Sequence, residues 1–133
     1  MDIRKKQRLV VDALEDVKGR DLLVYDTERM PSMFERVVIA SGDSTRQVKA
    51  LADNVQDKVR ESGARVYGVE GERAGEWVLV DLGDIVVHIM HPTVREFYNL
   101  EEVWGGKKVR LSQKAPVRKK APRAKAARPR RQR

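Results

Sequence analysis

The most regular hydrophobic pattern of the chain lies at residues 76–90, where two runs rich in β-branched residues meet at a Gly-Asp pair. Two such runs joined by this pair predict a β-hairpin with a two-residue turn at Gly83 and Asp84. Side chains two residues apart along each strand then share one face of the hairpin. One face carries only aliphatic residues and is therefore predicted to be core: Val78, Val80, Leu82, Ile85, Val87 and Ile89.

The other face of this hairpin is apolar but chemically mixed. Its cross-strand pairs are Trp77 with Met90, Leu79 with His88, and Asp81 with Val86. A face with an indole, an imidazole, a thioether and a carboxylate is either a second buried layer or a surface that docks a partner. The pattern alone leaves both interpretations open.

Apolar residues at a spacing of three and four predict two helices. One covers residues 7–17, and the other begins after Ser44, which forms the pattern of a capping box with Gln47, and ends before Gly63. Short apolar runs at residues 22–25, 37–40 and 65–70 predict three further strands, and Pro92 is suited to begin a third helix.

The order of these elements predicts the fold class. A strand, a helix and a strand follow one another from Val37 to Val69, which indicates a right-handed crossover between parallel strands. The hairpin then adds two antiparallel strands. We therefore predict an α/β (α+β) domain with a mixed five-stranded sheet flanked by helices.

Charge divides the chain into two parts. Residues 1–104 contain 15 Lys or Arg and 20 Asp or Glu, whereas residues 105–133 contain 13 Lys or Arg and no acid. The second part is also poor in large apolar residues and rich in Ala-Pro and Arg-Pro steps, so it cannot bury enough surface to fold. We predict one folded domain at residues 1–104 and a disordered basic tail at residues 105–133.

Composition argues against several protein classes. No apolar run approaches the roughly 20 residues of a membrane-spanning helix, and the charged N-terminus has no apolar segment behind it, so no signal peptide is expected. The chain has no cysteine, which excludes disulfides and thiolate metal sites. These features fit a cytoplasmic protein.

A strand-to-helix turn at residues 41–44 and a carboxylate pair are two candidates for chemistry. The turn precedes a helix N-terminus, where a phosphate can bind, but the glycine spacing of a phosphate loop is missing and a helix cap is favoured. Asp81 and Asp84 stand three residues apart across a turn, whereas a metal-binding pair on one strand face would stand two apart. Asp84 is therefore better explained as a turn residue.

The two histidines and the tail offer weaker candidates. His88 and His91 are too few for a zinc site unless carboxylates complete it, so we expect no catalytic residue, metal or cofactor. The tail will attract polyphosphate with a steep dependence on salt, although it has no aromatic residue for base stacking. The alternative interpretation of the tail is an extension that only keeps the protein soluble. The tail candidates for contact with nucleic acid are Arg118, Lys119, Lys120, Arg130 and Arg131.

Five motifs follow one another along the chain: residues 41–44 leading into 48–53, residues 68–71, residues 77–84, His88, and residues 95–101 with Trp104. In their order and spacing they resemble the ribosomal silencing factor (Iojap) family. The resemblance covers about residues 5–104 and leaves out the basic tail.

This resemblance implies a domain similar to the nucleotidyltransferase fold but without transferase activity. It implies binding to ribosomal protein fourteen of the large subunit, on the face that meets the small subunit, and a steric block of subunit joining that lowers translation when nutrients are short. Carried onto this chain, the implied docking residues are Trp77, Leu79, Asp81, His88, Met90, Phe97, Tyr98 and Leu100.

Two other functions stay open at this stage. One is a nucleotidyltransferase-like enzyme that uses Asp81, and the other is an RNA-binding module that acts through the basic tail. The sequence also leaves the oligomeric state open, because an exposed apolar hairpin face can pair two copies into a homodimer when the ribosome is absent.

Overall fold

A computed structural model of the chain describes residues 1–28, 34–99 and 107–108. The helices are α1 (Ile3–Asp16), α2 (Thr45–Glu61) and α3 (Pro92–Tyr98). The strands are β1 (Arg20–Asp26), β2 (Arg36–Ser41), β3 (Gly68–Glu70), β4 (Trp77–Asp81), β5 (Ile85–Met90) and β6 (Lys107–Lys108). The predictions for Leu100 and for the tail residues Arg118, Lys119, Lys120, Arg130 and Arg131 lie outside the described residues.

The strands form one sheet in the order β3-β4-β5-β2-β1-β6. β2 and β5 are parallel and every other neighbouring pair is antiparallel. This confirms the mixed sheet of five main strands flanked by helices. The two-residue β6 extends the edge beside β1, pairing Lys108 with Tyr25 and Lys107 with Asp26, beyond the predicted boundary at residue 104.

The predicted crossover is only partly right, because it joins parallel strands that are not neighbours in the sheet. β2 and β3 run in the same direction, but β4 and β5 lie between them, and the strand parallel and adjacent to β2 is β5. Both β2 and β5 are buried at all six positions, so the two most completely buried strands occupy the centre of the sheet. β3 begins at Gly68 instead of residue 65, and with its exposed Glu70 it takes the edge.

The hairpin has the predicted register. Trp77 pairs with Met90, Leu79 with His88, and Asp81 with Val86. The Leu82 N–H donates to the Ile85 carbonyl at 2.9 Å, which closes the two-residue turn. Gly83 has φ +94°, in the left-handed region that favours glycine, and its N–H donates to Asp81 Oδ1 at 2.9 Å.

The main core lies between this sheet and the pair of helices α1 and α2. The six predicted core residues of the hairpin have no exposed surface and pack with the apolar stripes of both helices. Ser44 Oγ accepts the Gln47 N–H at 3.1 Å, which confirms the N-cap of α2. Gln47 Oε1 accepts the Asp43 N–H, and Gln47 Nε2 donates to the carbonyls of Val17 and Lys18 at the end of α1.

A buried lysine ties α1 to the hairpin turn. Lys6 Nζ donates to the Leu82 carbonyl and to Asp84 Oδ1, both at 2.8 Å. Asp84 thus balances a buried cation in addition to its place in the turn. Over the described ranges, no helix is both long enough and apolar enough to cross a membrane.

Candidate functional site

The mixed face of the hairpin lies on the side of the sheet opposite α1 and α2. There a second, smaller apolar cluster is centred on β5, β2 and β1, with Val94 of α3 packed against it. Met90 has no exposed surface and His88 is 6% exposed, whereas Trp77, Leu79 and Asp81 on β4 are half-buried. The two interpretations of this face therefore divide by strand: the β5 side is a buried layer and the β4 side reaches solvent.

Trp77 is held by two aromatic neighbours. Its Nε1–H donates to His88 Nδ1 at 3.0 Å, and the two ring centroids are 5.9 Å apart. The Tyr98 ring of α3 lies 5.2 Å from the indole, and Phe97 meets Tyr98 edge-on at 4.9 Å. Phe97 and Tyr98 are 78% and 55% exposed. We call the accessible group of Trp77, Leu79, Asp81, Phe97 and Tyr98 the Trp77 patch.

His88 lies beneath this patch as a neutral acceptor. Burial lowers the pKa of its imidazole from 6.5 to about 4, because the charged form loses its hydration. The ring is therefore uncharged at neutral pH, and its Nδ1 lone pair is available for the indole N–H. Sequence reasoning missed this bond, although Trp77 and His88 are diagonal neighbours across the strand pair, which is within reach of aromatic side chains.

The short helix α3 is capped at both ends and is joined to the sheet by one buried side chain. His91 Nδ1 accepts the Thr93 N–H at 3.3 Å at its start, and Asn99 ends it in a left-handed conformation. The buried Arg95 donates from Nη1 to Ser41 Oγ at 2.9 Å, which joins the helix to the end of β2. These contacts hold Tyr98 beside Trp77. The pattern along the chain contains no signal for the contact between Arg95 and Ser41.

Three exposed acids are neighbours of the Trp77 patch, one across the sheet and two along the chain. Glu70 is the cross-strand partner of Leu79, Glu76 precedes Trp77, and Glu96 precedes Phe97; all three acids are exposed. The neighbouring cation of α3, Arg95, is buried instead. The exposed residues next to the patch are therefore acidic.

The other candidates have structural partners. Asp81 Oδ1 accepts the Gly83 N–H, and Asp84 binds Lys6. Within residues 1–28 and 34–99, no three His, Asp or Glu side chains come together as a metal site. In the strand-to-helix turn, Asp43 forms an ion pair with Arg20 at 3.0 Å, which together with the Ser44 cap favours the structural interpretation of that segment.

Comparison with known proteins assigns the family. A family model described as "Ribosomal silencing factor during starvation" matches residues 1–133. The chain belongs to the ribosomal silencing factor family. A ribosomal silencing factor from Chromobacterium violaceum is 52% identical over 108 residues, which are 81% of this chain and 88% of that protein. Its counterpart from Bacillus subtilis is 39% identical over 98 residues, 74% of this chain and 83% of that protein.

The chloroplastic protein Iojap of Zea mays is a more distant relative of this chain. The two are 31% identical over 70% of this chain and 40% of that protein. Among solved structures, a protein from Chromobacterium violaceum with 50% identity superposes with a TM-score of 0.78, covering 85% of this chain and 94% of that one. A protein from Bacillus halodurans with 33% identity superposes with a TM-score of 0.74, covering 81% of this chain and 99% of that one. The family resemblance seen in the sequence is confirmed, and with it a role in translation regulation and association with the ribosome.

Proposed function

We propose that this ribosomal silencing factor docks on the large ribosomal subunit through the Trp77 patch and sterically blocks joining of the small subunit. Ribosomal protein fourteen is the proposed contact on the large subunit, and lower translation under nutrient limitation is the outcome. The observation that carries the proposal is the half-buried Trp77, held by His88 and Tyr98 in a surface that also contains the exposed ring of Phe97.

The energetics of docking favour this surface over the others. Interfaces draw most of their affinity from a few central aromatic or arginine anchors, and Trp77 is an aromatic side chain whose orientation is already fixed before binding. A fixed anchor loses less rotamer freedom when it binds. Met90 and His88 have almost no exposed surface, so they support the patch from beneath and add little contact area.

The acidic rim specifies the charge of the partner. Glu70 pairs with Leu79 across the sheet, and Glu76 and Glu96 are the chain neighbours of Trp77 and Phe97; a surface with Lys and Arg around an apolar centre complements these acids. Complementary rim charges mainly raise the association rate, and salt screens them. We therefore expect association with the large subunit to slow as salt increases, while dissociation changes little.

The proposal includes no catalysis. Asp81 and Asp84, the carboxylates considered for nucleotidyl transfer, are occupied by the turn and by Lys6. The enzyme alternative is tested by titrating a nucleoside triphosphate with Mg²⁺. Saturable binding that disappears in Asp81→Asn would contradict the non-enzymatic account.

The basic tail has a supporting role in this proposal. Its cations raise affinity for ribosomal RNA at low salt without choosing the docking site. Truncation after Lys108 spares β6 and separates this role from the alternative of an RNA-binding module. We expect large-subunit binding to weaken at low salt and to be unchanged at high salt. Complete loss of binding at every salt concentration would favour the RNA-binding module.

The same apolar patch is available for pairing two copies off the ribosome. Phe97 and Tyr98 are exposed in the single chain, and a homodimer through them would compete with docking. Sedimentation equilibrium of wild type and Phe97→Ser measures this directly. A dimer that Phe97→Ser leaves intact would place the dimer contact elsewhere.

The docking site is tested by cosedimentation with isolated large subunits. We expect Trp77→Ala to weaken binding at least about 30-fold, the range of an interface hot spot, with an unchanged circular dichroism spectrum. Tyr67→Ala is the control: Tyr67 is an exposed aromatic residue (58%) whose ring stacks on Arg65 and lies over Gly83 instead of against Trp77. Equal binding by Trp77→Ala and Tyr67→Ala would refute this site.

A further inference from the structure

His88 accepts the indole N–H of Trp77, the central anchor of the patch, yet it presents almost no surface itself. It is 6% exposed and lies on the buried strand β5, between Val87 and Ile89, which have no exposed surface. Its Nδ1 accepts the Trp77 Nε1–H at 3.0 Å. A residue in this position affects a docked partner through Trp77 and not by its own contact.

We propose that His88 is a positioning residue, whose Nδ1 lone pair holds the Trp77 indole in the orientation that the large subunit recognises. This inference rests on the proposed function of the Trp77 patch. It assigns His88 a role different from the direct contact that the family resemblance implies.

The geometry explains why the acceptor matters. The indole of a half-buried tryptophan has one polar atom, and an N–H that loses its partner seeks water or another acceptor by rotating about χ1 and χ2. The Tyr98 ring at 5.2 Å supplies a face against which the indole rests but does not fix its rotation. The bond to His88 fixes it. Because β5 lies between β4 and β2, the acceptor stands on a strand that is paired on both sides.

The bond also requires one tautomer of the imidazole. Nδ1 accepts the indole N–H only when it carries no proton, so the neutral ring must hold its proton on Nε2. This requirement can be measured in the wild-type chain by long-range ¹H–¹⁵N correlation of the histidine ring. A His88 ring that is protonated on Nδ1 at pH 7 would overturn the proposal without any substitution.

Two substitutions of His88 separate its acceptor from its volume. His88→Asn places an amide oxygen near the position of Nδ1 and keeps the acceptor, whereas His88→Leu keeps most of the packing and removes it. We expect His88→Leu to weaken large-subunit binding about tenfold, the range for one lost hydrogen bond, and His88→Asn to restore most of that loss. Equal weakening by both variants would show that packing matters and not the acceptor.

A double-mutant cycle tests whether His88 acts through Trp77. Trp77→Phe keeps an aromatic ring and removes the N–H donor, so adding His88→Leu to it should cost little further affinity. Losses that multiply across the two sites would contradict a positioning role. If Trp77→Ala binds as tightly as wild type, the docking site itself is wrong, and that failure is visible before the cycle is interpreted.

The orientation of the indole has its own spectroscopic readout. The chain contains two tryptophans, Trp77 and Trp104, so Trp104→Phe leaves a single indole N–H signal. In that background we expect His88→Leu to speed hydrogen exchange of the Trp77 Nε1–H, and His88→Asn to retain slow exchange. Exchange as slow in His88→Leu as in the parent would refute the proposed bond, whatever the binding data show.

Discussion

The buried imidazole of His88 predicts that acid destabilises the domain in a specific pH range. Its folded-state pKa is about 4 against 6.5 for the ordinary value, because burial penalises the charged ring. Between these values the unfolded chain binds a proton at this site that the folded chain does not. Stability therefore rises with pH across this window: the contribution is complete above pH 6.5 and is lost as pH falls toward 4.

The magnitude follows from the separation of the two pKa values. A separation from 6.5 to about 4 corresponds to about 3 kcal/mol between pH 7 and pH 4, at roughly 1.4 kcal/mol per pKa unit. Loss of about 3 kcal/mol is a large part of the free energy of unfolding of an ordinary small domain. Acid protonation of His88 also removes the Nδ1 acceptor of Trp77.

Urea unfolding followed by circular dichroism at pH 7, 5 and 4 measures this contribution. The carboxylates add their own pH dependence, so the comparison is with His88→Asn, which has no titrating group at this position. We expect the stability difference, wild type minus variant, to decrease by about 3 kcal/mol from pH 7 to pH 4. A difference that stays constant across this range would refute the buried neutral imidazole.

Three backbone and anchoring contacts give further predictions, each measured by urea unfolding. A Cβ at Gly71, where φ is +88°, would overlap the carbonyl oxygen of Trp77, so Gly71→Ala should cost about 2 kcal/mol or more and weaken docking. Gly68→Ala meets no atom within 4 Å and should change stability by less than about 0.5 kcal/mol; equal effects would contradict the geometry. Lys6→Ala removes two bonds to the hairpin turn and should cost about 2 kcal/mol, and an unchanged midpoint would refute that anchor. Ser44→Ala removes the α2 cap and should cost about 1 kcal/mol; no loss would mean that water replaces the cap.

Local patterns in the chain were sufficient for the features that depend on neighbouring residues. The Gly83-Asp84 turn determines the hairpin register, because a slip by one residue would turn six aliphatic side chains out of the core. The Ser44 cap follows in the same way from the spacing between Ser44 and Gln47. Both are short-range consequences of side-chain chemistry and backbone geometry.

Features that depend on distant segments were beyond the reach of such patterns. The position of β3 at the edge, two strands away from β2, results from competition among strands for the buried centre. The burial of Met90 requires the cluster formed by β2, β1 and α3 on that face. The contact of Arg95 with Ser41 joins residues 54 positions apart, and no local period encodes it.

In the candidate site, too, local patterns predicted some features and distant contacts determined the others. Alternation along the strands placed Trp77, Leu79 and Asp81 on one face together with His88 and Met90, but it gave all five an equal claim to contact a partner. Burial separates them into three accessible residues on β4 and two supporting residues on β5. The proposed anchor is Trp77, and its orientation depends on a bond that only the folded sheet reveals.

A subunit-joining assay tests the proposed function most directly. Isolated large subunits are incubated with the protein, small subunits are added, and formation of joined ribosomes is followed by light scattering. We predict that wild type lowers the joined fraction in a dose-dependent manner, and that Trp77→Ala does not while Tyr67→Ala does. Normal joining of large subunits that are saturated with the wild-type protein would contradict the steric block.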